Sequence, residues 1–368
     1  MGRVVQGAPT LEESMRVLHL SPTHFDPESI VGGGERYAYD LAKSMAQRAE
    51  VAFLSFSKRP SSGNDGRLQI EYLPRGGLLS VRFLKWIRWA DVVHCHQIYT
   101  LCTDWATLLG VSLRKRLFAT DLGGADRFAL SYHLPIPRRM RAYLLLSEYS
   151  RRQWESAPSR ARPDRLEVIY GGVDFEKFSP SGDPRSRSVL FVGRILPHKG
   201  IDVLIDAMDP AIPLHVVGRV YHPEYFGLLK RKSEGKSVVF HLQTNDEDLV
   251  RLYRQSSVTV LPSVYDNCYG GHTEIPELLG LAVLESMSCE TPVIATAVAS
   301  LPEIVGEGVT GFLVPPNRPE ALRERIGYLL THPEAALAMG KRGRETVRSR
   351  FTWERVVERC LRAYGQQP

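Results

Sequence analysis

The sequence predicts an α/β fold made of two Rossmann-like, doubly wound parallel-sheet domains that face each other across a crevice. Three observations support this fold class: strand and helix patterns alternate along the chain, a glycine-rich loop follows the first predicted strand, and the alternation restarts after a segment rich in Ser, Pro, Gly, Asp and Arg. A length of 368 residues also exceeds what one hydrophobic core usually organises. Two domains are therefore expected.

In the N-terminal part, short apolar runs indicate strands, and the stretches between them have helical spacing. Because a strand, a helix and a second strand in succession usually form a parallel crossover, this order favours a parallel sheet covered by helices. The expected strands are 16–20, 51–56, 91–94 and 116–119, and the expected helices are 35–47 and 81–89.

The segment 179–188 has no periodic apolar pattern and reads as a linker, so we divide the chain into domains 1–180 and 181–350. Residues 351–368 have apolar positions at helical spacing and are expected to form a last helix. In the second domain the expected strands are 189–192, 214–217, 238–241, 258–261 and 293–295, and the expected helices are 201–208, 246–253 and 281–288.

The net charge of +6 comes entirely from residues 1–180, which hold 25 Lys and Arg against 19 Asp and Glu. Such a half can favour an anionic membrane surface or an anionic acceptor, although arginines scattered on solvated helix faces give the same count. The segment 81–89 interleaves basic and large apolar residues, which suits a membrane surface or, as we prefer, packing in the core. We expect weak peripheral membrane association at most, and no nucleic-acid partner.

The five cysteines are far apart and show no CxxC spacing, which favours free thiols in a reducing compartment. No signal-peptide pattern is present, and no run approaches the roughly 18 apolar residues of a membrane span. We therefore expect a cytoplasmic protein that is soluble or peripheral at the inner face of the membrane.

An anion-binding site is expected where the first strand of the second domain ends. Gly193 and Arg194 directly follow that strand, and Lys199 with Gly200 opens the next helix. Ligands of open α/β sheets bind at this edge, where the Arg fork, the Lys charge and a helix N-terminus all favour phosphate oxygens. Salt bridges to surface carboxylates would explain the same two cations.

Two carboxylates flank a glycine at the start of an apolar helix. Glu277 lies before the helix, where it can accept hydrogen bonds from sugar hydroxyls, and Glu285 lies about two turns further along. Gly280 is expected to let a ligand approach the backbone, so that the amides of Leu281 and Ala282 face a diphosphate. By itself, Glu277 could also be a partner of the helix dipole.

The ordered set of these motifs resembles the retaining glycosyltransferases of family 4. The resemblance implies the two-domain GT-B fold, with an N-terminal acceptor-binding domain, a C-terminal donor-binding domain and a last helix that packs back on the first. It rests on Gly32 to Glu35, Asp91 to His96, Gly193-Arg194, Lys199-Gly200, the Glu-x7-Glu element from Glu277 to Glu285, Thr291 to Thr296 and Gly311 to Val314.

The resemblance implies transfer of a hexosyl unit, with retention, from a UDP- or GDP-sugar to a hydroxyl of a glycan, a lipid-linked acceptor or a small molecule. It also implies site roles for residues of both domains. Arg194 and Lys199 would bind the diphosphate, Glu285 the ribose and Glu277 the transferred sugar, Gly33 and Gly34 would approach the phosphates or the acceptor, and His96 would lie beside the reacting sugar.

Catalysis in such a site is expected to need no metal or other cofactor, because Arg194, Lys199 and the helix end at Gly280 can stabilise charge on the departing diphosphate. The Asp246-Glu247-Asp248 triplet has the spacing of a metal-binding DxD motif, but its context is that of a capped helix start. The GxGxxG match at 306–311 leads into a strand, so we interpret it as a loop. His94 is expected to point away from His96 and to be structural.

Two other functions fit the same architecture: a non-hydrolysing nucleotide-sugar epimerase, which needs further acid and base groups at the sugar, and a non-catalytic nucleotide-sugar binding module. The chain also departs from the family pattern. Leu122 stands where many relatives carry a histidine, 170–174 lacks a Pro-Asn pair, and the loop 264–275 is longer than usual. These departures concern the acceptor side.

Overall fold

The computed structural model describes residues 15–22, 33–123, 126–182 and 184–365. They form two compact units, one with the residues up to Tyr170 and from Trp353 onward, the other with Gly171–Thr352. Each unit is a largely parallel sheet flanked by helices, so the predicted fold class is confirmed.

The chain enters the second unit at Gly171, whereas composition suggested residue 181. The residues between these points pack within the second unit. Phe178 is buried, its carbonyl accepts a hydrogen bond from Ser288 Oγ, and the Arg344 guanidinium lies 3.8 Å from the centre of the Phe175 ring. A segment without apolar periodicity is thus held by a few specific contacts.

The first sheet has eight strands in the order β3-β4-β2-β1-β5-β6-β7-β8, and only the pair β3 and β4 is antiparallel. Its strands are β1 (Arg16–Leu20), β2 (Glu50–Ser57), β3 (Ser61–Asp65), β4 (Leu68–Pro74), β5 (Val92–His96), β6 (Arg116–Thr120), β7 (Ala142–Leu145) and β8 (Leu166–Val168). Its helices are α1 (Gly33–Met45), α2 (Val81–Trp89), α3 (Leu101–Ser112) and α4 (Glu148–Ser156).

The direction of strand addition reverses where β1 lies between β2 and β5, and the carboxyl ends of β1 and β5 meet there. This is the position at which doubly wound sheets bind ligands. Helix α2 buries Phe83 and Ile87 completely, so the amphipathic segment packs in the core as preferred above.

The second sheet has six parallel strands in the order β11-β10-β9-β12-β13-β14, which is the Rossmann order. Its strands are β9 (Ser186–Val192), β10 (Leu214–Val217), β11 (Val238–His241), β12 (Ser256–Leu261), β13 (Val293–Thr296) and β14 (Gly311–Val314). Its helices are α5 (Ile201–Ala207), α6 (Pro223–Lys232), α7 (Asp246–Gln255), α8 (Leu281–Ser288), α9 (Leu301–Ile304), α10 (Pro319–Thr331) and α11 (Pro333–Arg350).

The two motifs set aside in the sequence have the structures expected for them. Asn245 Oδ1 accepts a hydrogen bond of 2.8 Å from the Asp248 amide, so the acidic triplet is the capped first turn of α7. The glycines at 306–311 form a turn that leads into β14. Neither has the context of its motif.

The last helix, α12 (Trp353–Gly365), belongs to the first unit and packs on α1. Within the described ranges no helix is long and apolar enough to cross a membrane. All five cysteines are free thiols, as expected from their spacing.

Candidate functional site

In the second unit, the loops that follow β9 and β12 touch at the point where the strand order reverses. Gly193 and Arg194 follow β9, a 3-10 turn spans Pro197–Lys199, and Gly200 has a φ of 64°. A Cβ on Gly200 would lie 2.1 Å from the Pro262 carbonyl oxygen. Only glycine therefore allows the loop after β9 to lie directly against the loop after β12.

This contact brings together Lys199 and Glu277, which are far apart in the sequence. Lys199 Nζ lies 2.5 Å from Glu277 Oε1, and only 7% and 8% of the two residues are exposed. The ammonium also donates to the Pro276 carbonyl at 3.2 Å, and Ser263 Oγ donates to Glu277 Oε1 at 2.6 Å.

Both members of this ion pair keep capacity for a ligand. Lys199 has three N–H donors and uses two on protein oxygens. Both hydrogen bonds to the Glu277 carboxylate go to Oε1, and within the described part of the chain Oε2 accepts none. The Ser300 hydroxyl holds the Glu277 carbonyl at 3.1 Å. The pair is thus a fixed cation and a fixed acceptor side by side.

Arg194 lies at the surface, at the carboxyl end of β9. Its guanidinium is 5.9 Å from the centre of the Tyr221 ring, and it makes no ion pair with any described carboxylate. Gly193 donates its amide to the Val217 carbonyl at 2.9 Å, and its own carbonyl lies against Gly218. The backbone therefore fixes where the Arg194 side chain begins while leaving its charge for an anion.

His198 belongs to the same group of charges and was missed in the sequence. Burial, together with the Lys199 and Arg194 charges, lowers its pKa to about 4, although the Glu277 carboxylate acts in the opposite direction. His198 is therefore neutral near pH 7. Its place beside Lys199, in a turn at the end of a central strand, was the signal that could have identified it.

The start of α8 lies next to this pair. Gly280 has a φ of 88°, and a Cβ there would lie 2.7 Å from Leu301 Cδ2. Glycine is thus required by the backbone conformation and by the packing of α9. Leu281 and Ala282, in the first helical turn, are partly exposed and leave N–H groups without an intrahelical acceptor.

Glu285 lies further along α8 and is partly buried. The hydroxyl of Tyr253, a buried residue of α7, donates to Glu285 Oε2 at 2.8 Å. Tyr253 therefore orients the carboxylate, and its part in the site could not be seen in the sequence because α7 and α8 are joined only by packing.

The first unit contains the other expected site residues. Gly33 and Gly34 open α1, whose N-terminal amides favour an anion, while Gly32 lies outside the described residues. His96 is the last residue of β5 and is 1% exposed. These residues lie near the carboxyl ends of β1 and β5, where the strand order reverses.

The expectation that His94 points away from His96 is wrong. The two ring centres are 4.3 Å apart, because residues two positions apart in a strand project to the same face. His19 of β1, which pairs in register with His94, completes a buried cluster of three histidines. Each offers a nitrogen within 4.8 Å of the others, so this is the one group in the described ranges with the spacing of a metal site.

Both ring nitrogens of His94 nevertheless contact side chains of neighbouring elements, which agrees with the structural role expected for this residue. Its Nδ1 lies 2.7 Å from the Tyr364 hydroxyl of α12, and its Nε2 lies 2.8 Å from Thr120 Oγ1 of β6. The imidazole therefore joins β5 to the last helix and to the neighbouring strand.

The loop 264–275 is a short hairpin. Asp266 and His272 face each other, with 2.7 Å between carboxylate Oδ1 and imidazole Nδ1, and the Asn267 amide donates to the Gly271 carbonyl. The ring of Tyr269 stacks on His222, with 5.5 Å between their centres. Glu274 is exposed.

Two family models match this chain in succession. The model described as "Glycosyltransferase Family 4" matches residues 31–177, and the model described as "Glycosyl transferases group 1" matches residues 173–346. Together with the two Rossmann-like units, these matches show that the chain belongs to the family-4 type of GT-B glycosyltransferases.

Among curated proteins, the chain is 32% identical over 225 residues to the D-inositol 3-phosphate glycosyltransferase of Segniliparus rotundus, covering 55% of this chain and 47% of that protein. It is also 32% identical over 211 residues to an uncharacterized glycosyltransferase of Methanocaldococcus jannaschii, covering 55% of this chain and 54% of that protein. The chain therefore spans about half the length of the curated relatives it matches.

Several solved structures, among them the following two, are similar over 95% of this chain and 98% of their own. One is a sucrose-phosphate synthase from Thermosynechococcus elongatus, with a TM-score of 0.75 and 24% identity. The other is HepE of Anabaena in complex with UDP and glucose, with a TM-score of 0.74 and 17% identity. At these identities the likeness shows the fold.

Proposed function

We propose that this protein transfers a hexosyl unit from a UDP- or GDP-sugar to a hydroxyl group of a glycan, a lipid-linked acceptor or a small molecule. The observation that carries the proposal is the buried Lys199–Glu277 pair, which lies at the point where the strand order of the second sheet reverses. Arg194 and the first turn of α8 are near it. This combination of fixed cations and a fixed carboxylate suits a sugar diphosphate.

In the proposed chemistry, different residues contact the two sides of the bond that breaks between the sugar and the diphosphate. Arg194, Lys199 and the free amides of Leu281 and Ala282 stabilise the negative charge that develops on the departing diphosphate. Glu277 Oε2 accepts a hydrogen bond from a hydroxyl of the transferred sugar. Glu285, held by Tyr253, accepts from the paired hydroxyls of the ribose.

Retention of anomeric configuration and the absence of a metal requirement are part of the same proposal. Retention rests on family membership, since the family's reaction is explained by attack on the same face within a tight ion pair. Metal independence rests on the cations: two side chains and a helix N-terminus supply the positive charge that a divalent ion supplies elsewhere.

The donor is tested first by thermal shift with UDP, GDP, ADP and their sugars. A uridine or guanosine diphosphate sugar is expected to raise the unfolding temperature, because a ligand that binds only the folded state adds about 2.7 kcal/mol at a hundred times its Kd. HepE, solved with UDP and glucose, makes UDP the first choice. The variant Arg194→Ala is expected to lose most of the shift, and shifts equal to those of the unchanged protein would contradict the diphosphate role.

One further experiment distinguishes the transferase from the two alternatives, an epimerase and a binding module. Incubation with the donor that binds best, without an acceptor, should leave it intact or hydrolyse it slowly. Conversion to an isomeric nucleotide sugar would identify an epimerase instead, and donor binding without turnover on any hydroxyl acceptor would identify a binding module.

We also propose that this protein attaches peripherally to an anionic membrane surface through the segment 126–139 of the first unit. Four large apolar side chains in it are exposed: Phe128, Leu130, Tyr132 and Leu134, by 75%, 40%, 45% and 51%. Arg127, Arg138 and Arg139 are exposed beside them. Apolar side chains flanked by arginines match the acyl boundary and the anionic headgroups of such a surface.

Sedimentation with vesicles of phosphatidylcholine, with and without phosphatidylglycerol, tests this attachment. We expect binding to the anionic vesicles, and a loss on the order of 30-fold in Arg138→Gln/Arg139→Gln, since each basic residue near the surface contributes about 1 kcal/mol. Phe128→Ser/Leu134→Ser should also weaken binding. Leu337→Ser, at a residue 48% exposed in the second unit, is the matched control. Equal losses in the control, or no binding at all, would refute the attachment.

A further inference from the structure

A buried chain of hydrogen bonds in the first unit ends on His96. His19 Nδ1 lies 2.8 Å from His96 Nε2, and on the other side of the same ring His19 Nε2 lies 3.3 Å from Met45 Sδ. His96 Nδ1 is buried and has no hydrogen-bond partner among the described residues. The chain of hydrogen bonds therefore runs from Met45 through His19 and ends at His96, whose Nδ1 is buried without a partner on the residues that the structure describes.

Both imidazoles are neutral. Burial lowers the pKa of His19 to about 3 and holds the pKa of His96 well below its usual range, with the neighbouring histidines acting in the same direction. A neutral imidazole has one N–H and one bare nitrogen, so each ring carries a single proton.

The short contact between the two rings needs one proton between them, since two bare nitrogens or two N–H groups would repel at that distance. In the first arrangement His96 donates from Nε2 to His19 Nδ1. In the second arrangement His19 donates from Nδ1 to His96 Nε2. The two arrangements leave opposite groups at His96 Nδ1: a bare acceptor in the first and an N–H donor in the second.

The sulfur of Met45 distinguishes the two arrangements. A thioether can only accept a hydrogen bond. In the first arrangement the remaining proton of His19 is on Nε2 and points at this sulfur, so every N–H of the chain has an acceptor. Of the residues described, none partners His96 Nδ1 in either arrangement. In the second arrangement a bare His19 Nε2 also faces the sulfur lone pairs, and this additional buried nitrogen without a partner costs about 1–3 kcal/mol.

We infer that Met45 and His19 are positioning residues that hold His96 in the Nε2–H tautomer, so that its bare Nδ1 accepts a hydrogen bond from a hydroxyl of a sugar substrate. This rests on the proposed function for the identity of the ligand. A bare imidazole nitrogen selects a group that donates: it binds a hydroxyl and is poorly matched to a phosphate oxygen.

The hydrogen bonds also bear on the spacing of the three histidines, which fits a metal. Both nitrogens of His19 and both of His94 already have partners, and His94 uses Tyr364 and Thr120. A metal would have to displace these bonds. Metal binding is therefore an outcome that the test must be able to report.

Nitrogen NMR of the imidazoles in the ligand-free protein tests the tautomer without reference to activity. We expect His96 to be protonated at Nε2 and bare at Nδ1, and His19 to be protonated at Nε2. A proton on His96 Nδ1 would overturn the inference. So would stoichiometric zinc, measured in protein purified without chelators, because zinc would have to displace the hydrogen bonds of His19 and His94 on which the inference depends.

Variants test the consequence for transfer. His19→Asn places an amide oxygen where Nδ1 accepts, whereas His19→Leu fills a similar space without an acceptor. If His19 acts by fixing the tautomer, turnover should fall on the order of 10- to 100-fold in His19→Leu, the range for residues that orient a functional histidine, and recover in His19→Asn. If His19→Leu instead turns over faster than His19→Asn, the residue acts only by packing, and the inference is overturned.

Met45→Leu keeps the volume of a buried side chain and removes only the acceptor. It should leave the fold intact and produce a mixture of His96 tautomers by NMR, while Met339→Leu, at a buried methionine of the second unit, should not. An unchanged tautomer in Met45→Leu would overturn the part assigned to the sulfur. If the NMR results hold but no sugar is transferred, the proposed function fails and the tautomer assignment stands.

Discussion

Glu277→Gln is expected to lower turnover by about 10²–10³-fold, the effect of removing one preorganised electrostatic contact at a reacting centre. The carboxylate holds the Lys199 ammonium at 2.5 Å, and in the proposed mechanism it also accepts a hydrogen bond from the sugar; an amide does neither as well. Steady-state rates with the donor identified by thermal shift provide the measurement. Lys199→Met should lower turnover comparably, because it removes the positive charge that we propose stabilises the departing diphosphate.

The double variant distinguishes an effect on folding stability from an effect on turnover. Each single substitution leaves one buried charge without its partner, which costs about 3–5 kcal/mol of folding free energy. Lys199→Met/Glu277→Gln removes both charges, so urea unfolding should show most of that stability restored while turnover stays low. Near-normal rates in the two single variants would refute the assignment of this pair to catalysis, and a double variant as active as the unchanged protein would refute it as well.

Gly200→Ala is expected to prevent normal folding of the second unit or to displace the loop that carries Lys199. The added Cβ would lie 2.1 Å from the Pro262 carbonyl oxygen, at a backbone φ of 64°. The matched control is Gly235→Ala, where φ is 75° but no atom lies within 4 Å of the added Cβ. The control should pay only the left-handed backbone cost of about 1–2 kcal/mol.

Circular dichroism and urea unfolding of both variants measure this difference. A larger loss of stability in Gly200→Ala than in its control is the expected result, together with loss of the donor-induced thermal shift. Equal stability in the two variants would mean that the loops after β9 and β12 do not need to touch. The packing argument for the site would then fail.

The strands and helices with strong local periodicity were predictable, and several bounds agree with the structure, as for α2 and α8. Strand β3 was missed because its sequence, Ser61–Asp65, is polar and exposed, and it forms only by pairing with β4. Strands β7 and β8 are too short, at four and three residues, for a period of two to be recognised.

The residues of the candidate site whose role depends on close neighbours in the sequence were predictable, and those whose role depends on contacts made on folding were not. Gly193, Arg194 and Lys199 follow one strand, and Glu277, Gly280 and Glu285 surround one helix start, so neighbouring positions in the sequence were enough to indicate them. His198 and Tyr253 were missed because their contribution depends on which groups fold against them.

What the sequence by itself determined is the alternation of strands and helices, the two Rossmann-like units and the family motifs, because each depends on residues a few positions apart. The pairing of Lys199 with Glu277, 78 residues away, was decided only by the tertiary structure, which brings the ends of β9 and β12 together. The same holds for His19 and His96, 77 residues apart, which meet because β1 and β5 are adjacent strands. Local periodicity carries no information about which strands become neighbours. The chemistry of the histidine pair and of the ion pair depends on which strands are adjacent.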